Sequence, residues 1–145
     1  MTTLTARHAG IALVVLMLLT VLAYWPSLHG GYLFDDGIYF TQNPEIHVVS
    51  LDLSEWIRAA TSQCSINPLC RPLSAITFAA NWYFTGADPF WPKLTNLVIH
   101  LCNGLLLFLS LRELGLLNYA RRHAHRKWNL VAGAIAGAWL LLPIN

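Results

Sequence analysis

The chain has little charge: Asp, Glu, Lys and Arg together make 11% of its 145 residues, against about 25% in an ordinary soluble domain. With 56% hydrophobic residues, that scarcity excludes a conventional soluble globular composition and indicates a membrane protein. Cysteine is also scarce, at three residues. No second cysteine or histidine pair stands at ligand spacing to Cys64 and Cys70, which argues against a structural zinc site. The hydrophobic runs carry no embedded acid, which ranks a transporter last among the functional classes. A nucleic-acid partner is not expected.

The few charges that are present fall into blocks of opposite sign. Arg7 and His8 precede an uncharged run, Gly10 to Trp25. At 1.5 Å per residue, roughly 16 residues reach about 24 Å, enough to cross a ~30 Å hydrocarbon core once Ala9 and the Trp25 end extend into the interfaces. Tyr24 and Trp25 suit an interfacial belt. A cleaved signal peptide fits Arg7, the Ile11 to Leu22 run and Val21-Leu22-Ala23 as well. Further apolar runs downstream argue for a retained span.

Residues 26–92 carry six acids (Asp35, Asp36, Glu45, Asp52, Glu55, Asp88) against Arg58 and Arg71, a balance of −4. Residues 93–111 form a second apolar run, and residues 112–128 hold five bases against Glu113, a balance of +4. A third run begins at Asn129 and continues to the last residue, Asn145. Basic short connections stay in the cytoplasm. The expected fold is therefore an all-α membrane protein of about three transmembrane helices. Residues 1–8 form a cytoplasmic amino terminus, 9–25 the first span, 26–92 an external loop, 93–111 the second span, 112–128 a basic cytoplasmic loop and 129–145 a truncated third span. A multi-pass protein of the bacterial inner membrane, with residues 26–92 in the periplasm, fits this pattern.

The external loop is too aromatic and too weakly charged for disorder, and long ordered loops are usually functional. Asp52-Leu53-Ser54-Glu55 matches a capping box with Asp in place of Ser and predicts a short helix through Ala60. Pro72 at a first-turn position predicts a second helix through about Phe84, ended by Gly86 and Pro89. That segment is apolar almost all round, as in a helix lying in the interface. Cys64 and Cys70 stand on the oxidising side, where a disulfide is permitted; two free thiols fit the spacing equally. Cys102, inside the second run, reads as a buried thiol.

Asn96, His100 and Asn103 follow i, i+4, i+7 spacing and are expected to share one helix face, either as hydrogen-bonding groups between helices or as residues lining a site. Gly133 and Gly137 form a small-xxx-small pair for close packing. His123 and His125 belong to the solvated basic loop, where they can meet anionic headgroups.

The stretch Tyr32-Leu33-Phe34-Asp35-Asp36-Gly37-Ile38-Tyr39 sets two adjacent carboxylates among apolar residues just after the first span. Adjacent carboxylates serve as a general base, as ligands for a divalent cation, or as a turn cap without chemistry. Successive side chains do not point the same way on a regular element, so the two acids have different tasks. Taken alone, Asp-Asp-Gly reads as a turn.

Its surroundings add more. Phe34-Asp35-Asp36 after a first span, Asn43-Pro44 with Ile46, Trp56, Arg71-Pro72-Leu73, Asn81 with Gly86 and Pro89, and then Asn96-Leu97, His100 and Asn103 come in an order that resembles the amino-terminal part of GT-C membrane glycosyltransferases. The likeness is to the protein O-mannosyltransferase branch, with the transmembrane and tetratricopeptide-repeat proteins and their bacterial counterparts. It covers roughly residues 10 to 145. The resemblance implies sugar transfer from a polyprenyl-phosphate-linked donor to a protein or glycan acceptor on the external face. It assigns the role of base or metal partner to Asp35 or Asp36. Arg71 is a fit partner for the donor phosphate because guanidinium pairs bidentately with phosphate; a salt bridge to a loop acid is its alternative. GT-C enzymes have many more spans, so the sequence reads as a portion whose remaining helices come from a longer chain or from an oligomer. The contrasting reading is a small non-enzymatic membrane protein whose acidic loop binds a partner.

Overall fold

The computed structural model describes residues 2–33, 36–64, 70–118 and 124–142; of these, the side chains of residues 2–6, 116–118 and 124–127 are not described. All regular structure among them is helical: α1 (Thr2–Leu28), a π-helical turn (Gly37–Thr41), a 3-10 turn (Pro44–Ile46), α2 (Leu53–Thr61), α3 (Pro72–Thr85), α4 (Phe90–Asn118) and α5 (Ala124–Leu141). Two helical stretches, Arg7–Leu28 and Phe90–Gly115, are long and apolar enough to cross a membrane. The third apolar helix, Trp128–Leu141, is shorter. The chain divides into two compact units, Met1–Pro26 with Thr95–Asn145, and Ser27–Leu94.

The first unit is built on small residues. Ala132, Ala136 and Leu140 recur every fourth position, so they form one ridge of α5, and all three are fully buried. Against them lie Ala9 and Leu13 of α1 and Phe108 of α4, with Leu16, Met17, Leu101 and Trp139 packed around. The small-xxx-small pair lies in these contacts, Gly137 against Leu16 and Gly133 against Phe108. Gly104 of α4 provides a second close approach, directly beneath the Leu140 side chain.

In the second unit, Phe40, Ile46, Val48, Ala59 and Ala79 form the core, covered by Tyr32, Trp56, Phe78, Trp82 and Tyr83. Rings carry much of it: Phe40 meets Phe78 and Trp82 edge-on at 5.8 and 5.6 Å between centroids. Such pairs add about 0.5–1.5 kcal/mol each beyond their burial. Local signals place the helices as expected. Pro72 stands at the start of α3, and Gly86 ends it at φ 65°, a left-handed conformation that glycine adopts without a Cβ penalty. The Asp52 side chain accepts the Ser54 N–H and caps α2.

Two expectations need correction. The capping box is only half made, because Glu55 accepts the Val49 and Ser50 N–H groups instead of reaching Asp52. The preceding segment folds back over α2 and offers it two donors in place of one. Within residues 112–128 the chain is largely helical, α4 continuing to Asn118 and α5 starting at Ala124. Arg121, Arg122 and His123 lie outside the described residues, as does the side chain of His125. Finally, Cys102 is exposed and not buried, because its side of α4 faces away from α1 and α5.

Candidate functional site

Asp36 is tied back to Leu33. The Asp36 N–H donates to the Leu33 carbonyl at 3.1 Å, and the Leu33 N–H donates to Asp36 Oδ2 at 3.2 Å. This reciprocal pair holds the chain until the π-helical turn takes over, where the Gln42 N–H and the Thr41 hydroxyl both reach the Gly37 carbonyl. Buried Phe40 anchors that turn. Gly37 is not needed for a positive φ; among the described glycines only Gly86 has one. Asp35 lies outside the described residues. The Asp36 carboxylate thus takes up a backbone N–H, one of the tasks open to such a pair.

Tyr32 completes this corner. Its hydroxyl donates to the Ala87 carbonyl at 2.9 Å, and its ring packs 5.5 Å from that of Phe40. Burial, followed by the negative charges of Asp88 and Asp36, pushes its phenol up to about 12. The corner thus holds a protonated phenol beside two carboxylates, a proton acceptor and a donor in one place. As ligands for a divalent cation, the described residues fall short. No three His, Cys, Asp or Glu side chains among them gather as a set that could hold a metal ion.

Arg71 stands just before α3, exposed, with its carbonyl accepting the Ala75 N–H. Among the described residues its guanidinium forms no ion pair with Asp36, Glu45, Asp52, Glu55 or Asp88, so the salt-bridge alternative finds no acid there. Next to it, Cys70 is bonded to Cys64. A bridge closing so small a loop contributes roughly 2 kcal/mol by chain entropy.

Asn96, His100 and Asn103 separate on folding. His100 is buried, stacked on Trp139 at 4.4 Å between centroids. Its Nε2 lies 3.0 Å from the Leu140 carbonyl. A carbonyl only accepts, so Nε2 carries the proton. Asn96 and Asn103 are exposed. The expected common face is therefore divided: at about 100° per residue His100 sits some 40–60° around from the two asparagines, and the edge of the α5 contact runs between them.

Four contributors escaped the sequence reading. The Lys93 ammonium donates to the carbonyls of Ser27, Gly30 and Gly31 at 3.2, 2.7 and 2.7 Å, using all three protons. A cation at the start of one span, opposite the carbonyl end of the preceding one, was the available signal. His47 stacks on Trp82 at 3.5 Å and 12°, with Nε2 3.0 Å from the Phe40 carbonyl. Nothing in its spacing announced that. The Thr20 hydroxyl of α1 lies 2.9 Å from the Leu16 carbonyl and 3.4 Å from that of Leu140, between which its one proton is shared, and Tyr24 donates to the Leu142 carbonyl at 2.8 Å. Hydroxyls one turn apart in an apolar helix were the visible hint. No protein-family model, no curated protein and no solved structure matches the chain.

Proposed function

We propose that the chain is the amino-terminal portion of a GT-C-type membrane glycosyltransferase, with three spans (α1, α4 and α5), a cytoplasmic amino terminus and residues 26–92 outside. The observation that carries this reading is the acidic corner, a backbone-locked Asp36 beside Tyr32 and Asp88, placed directly after a helix long enough to span a membrane. The order of motifs from Phe34 to Asn103 and the exposed Arg71, which makes no ion pair among the described residues, support it. In the proposed reaction a carboxylate, Asp35 or Asp36, takes the proton of an acceptor hydroxyl as its oxygen bonds to the anomeric carbon. The bond to the polyprenyl phosphate breaks, and the phosphate leaves with the electron pair near Arg71.

A second reading has its own support. Asp36 already spends one oxygen on its own turn, as a structural cap would, and this favours a non-enzymatic membrane protein whose acidic loop binds a partner. Transfer of radiolabelled sugar from a polyprenyl-phosphate donor, measured in membranes of cells expressing the gene, separates the two. Replacing the general base, by Asp35→Asn or Asp36→Asn, is expected to lower transfer about 100-fold or more. Undiminished transfer in both variants overturns the catalytic reading.

A further inference from the structure

Asn96, Asn103 and Ser110 are all exposed on α4 and recur every seven residues, which keeps them within about 40° of one another around the helix. Ile99 and Leu106, 42% and 59% exposed, interleave with them. Together they form an a/d seam. The adjoining exposed arc carries Val98, Leu105 and Leu109, with Cys102 among them and Glu113 at its carboxyl-terminal end. Asn103 sits at the middle of the Phe90–Gly115 stretch, the depth at which hydrocarbon offers an amide neither donor nor acceptor. Among the described residues neither asparagine has a hydrogen-bond partner.

We propose that this seam is the interface with a second copy of the chain, forming a parallel two-fold pair along α4. The argument rests on self-complementarity. Copies inserted in the same sense are parallel, so their two-fold axis lies along the membrane normal, and a residue at an a position then meets its own counterpart. A primary amide is both donor and acceptor, so two asparagines seven residues apart satisfy themselves reciprocally, twice, in one register. Ile99 and Leu106 supply the packing between those layers. The inference is independent of the sugar-transfer reading.

The test uses the full chain reconstituted in lipid vesicles, with Cys102→Ser to remove the free thiol. Under mild oxidation, Ile99→Cys in the seam is expected to cross-link to its own counterpart. Leu105→Cys, about 160° around the helix from Asn103, is expected not to. In an energy-transfer titration against lipid-to-protein ratio, Asn103→Leu is expected to weaken pairing about tenfold. Because the Asn103 side chain is exposed and makes no hydrogen bond to a described residue, helicity and the Cys64–Cys70 bond should persist in that variant. The proposal fails if the chain stays monomeric at every ratio, if both cysteines cross-link equally, if Asn103→Leu pairs like the parent, or if Ile99→Cys is captured by a different helix.

Discussion

Gly104→Ala tests the packing of α4 on α5 most directly. A Cβ at Gly104 would collide with Leu140 Cδ2 and come within 2.7 Å of its Cγ and 3.2 Å of its Cδ1. Contact with Cγ is not relieved by turning a terminal methyl, and Leu140 is fully buried, so the helices must part by roughly 1 Å to restore carbon contacts near 3.5 Å. Overpacking of this kind costs about 1–3 kcal/mol. The movement also stretches the bonds from His100 and Thr20 to the Leu140 carbonyl, now 3.0 and 3.4 Å. Against this stands the helix preference for alanine over glycine, about 1 kcal/mol. The net expectation is a loss of about 1 kcal/mol. Gly137→Ala provides the contrast: only Leu16 Cδ1 lies close, at 2.5 Å, and its Cγ is already at 3.6 Å. One flexible side chain can swing aside there, and the variant should be near neutral. The assay is reversible unfolding in mixed micelles, followed by Trp139 fluorescence and far-ultraviolet circular dichroism. In a Leu140→Ala background the added methyl fills space, so the double variant should be more stable than the sum of the single changes implies, by about 1 kcal/mol or more. Gly104→Ala at least as stable as the parent, or Gly137→Ala the worse of the two, would refute the reasoning.

Two further expectations concern pH. The Tyr32 phenol is raised from 10.0 to about 12, so the stability tied to its neutral form is fully present below pH 10 and is lost as the pH rises through about 12. Ultraviolet titration near 295 nm should show one late tyrosine that is absent from Tyr32→Phe, and Asp88→Asn should bring it only part of the way down, because burial is the larger cause. At the acid end, the Ser54 N–H holds the Asp52 carboxyl below its ordinary 3.8, and the Val49 N–H holds that of Glu55 below its ordinary 4.5. Their contribution is present above those values and fades as the pH falls through the lowered ones. Trp56 fluorescence should report α2 loosening in that range; Glu55→Gln should remove part of the pH dependence, and an unchanged acid profile in that variant would contradict it.

The helices were legible because their determinants are local. Uncharged runs, the Asp52 cap, Pro72 at a first turn and Gly86 after a last one act within a few residues, and each appears in the structure where the sequence puts it. Opposite charge blocks are likewise a property of the chain alone. What folding decided is which partner each polar group meets. Asn96, His100 and Asn103 share a spacing, yet only His100 falls under α5, because a helix contact covers a limited arc and these three straddle its edge. Glu55 left the expected capping box because another segment brought two N–H groups within reach. Lys93 found three carbonyls more than sixty residues away in sequence, and Asp36 became the lock of its own turn. Hydrogen bonds of that kind depend on where separate segments are brought together, which no window of the sequence contains.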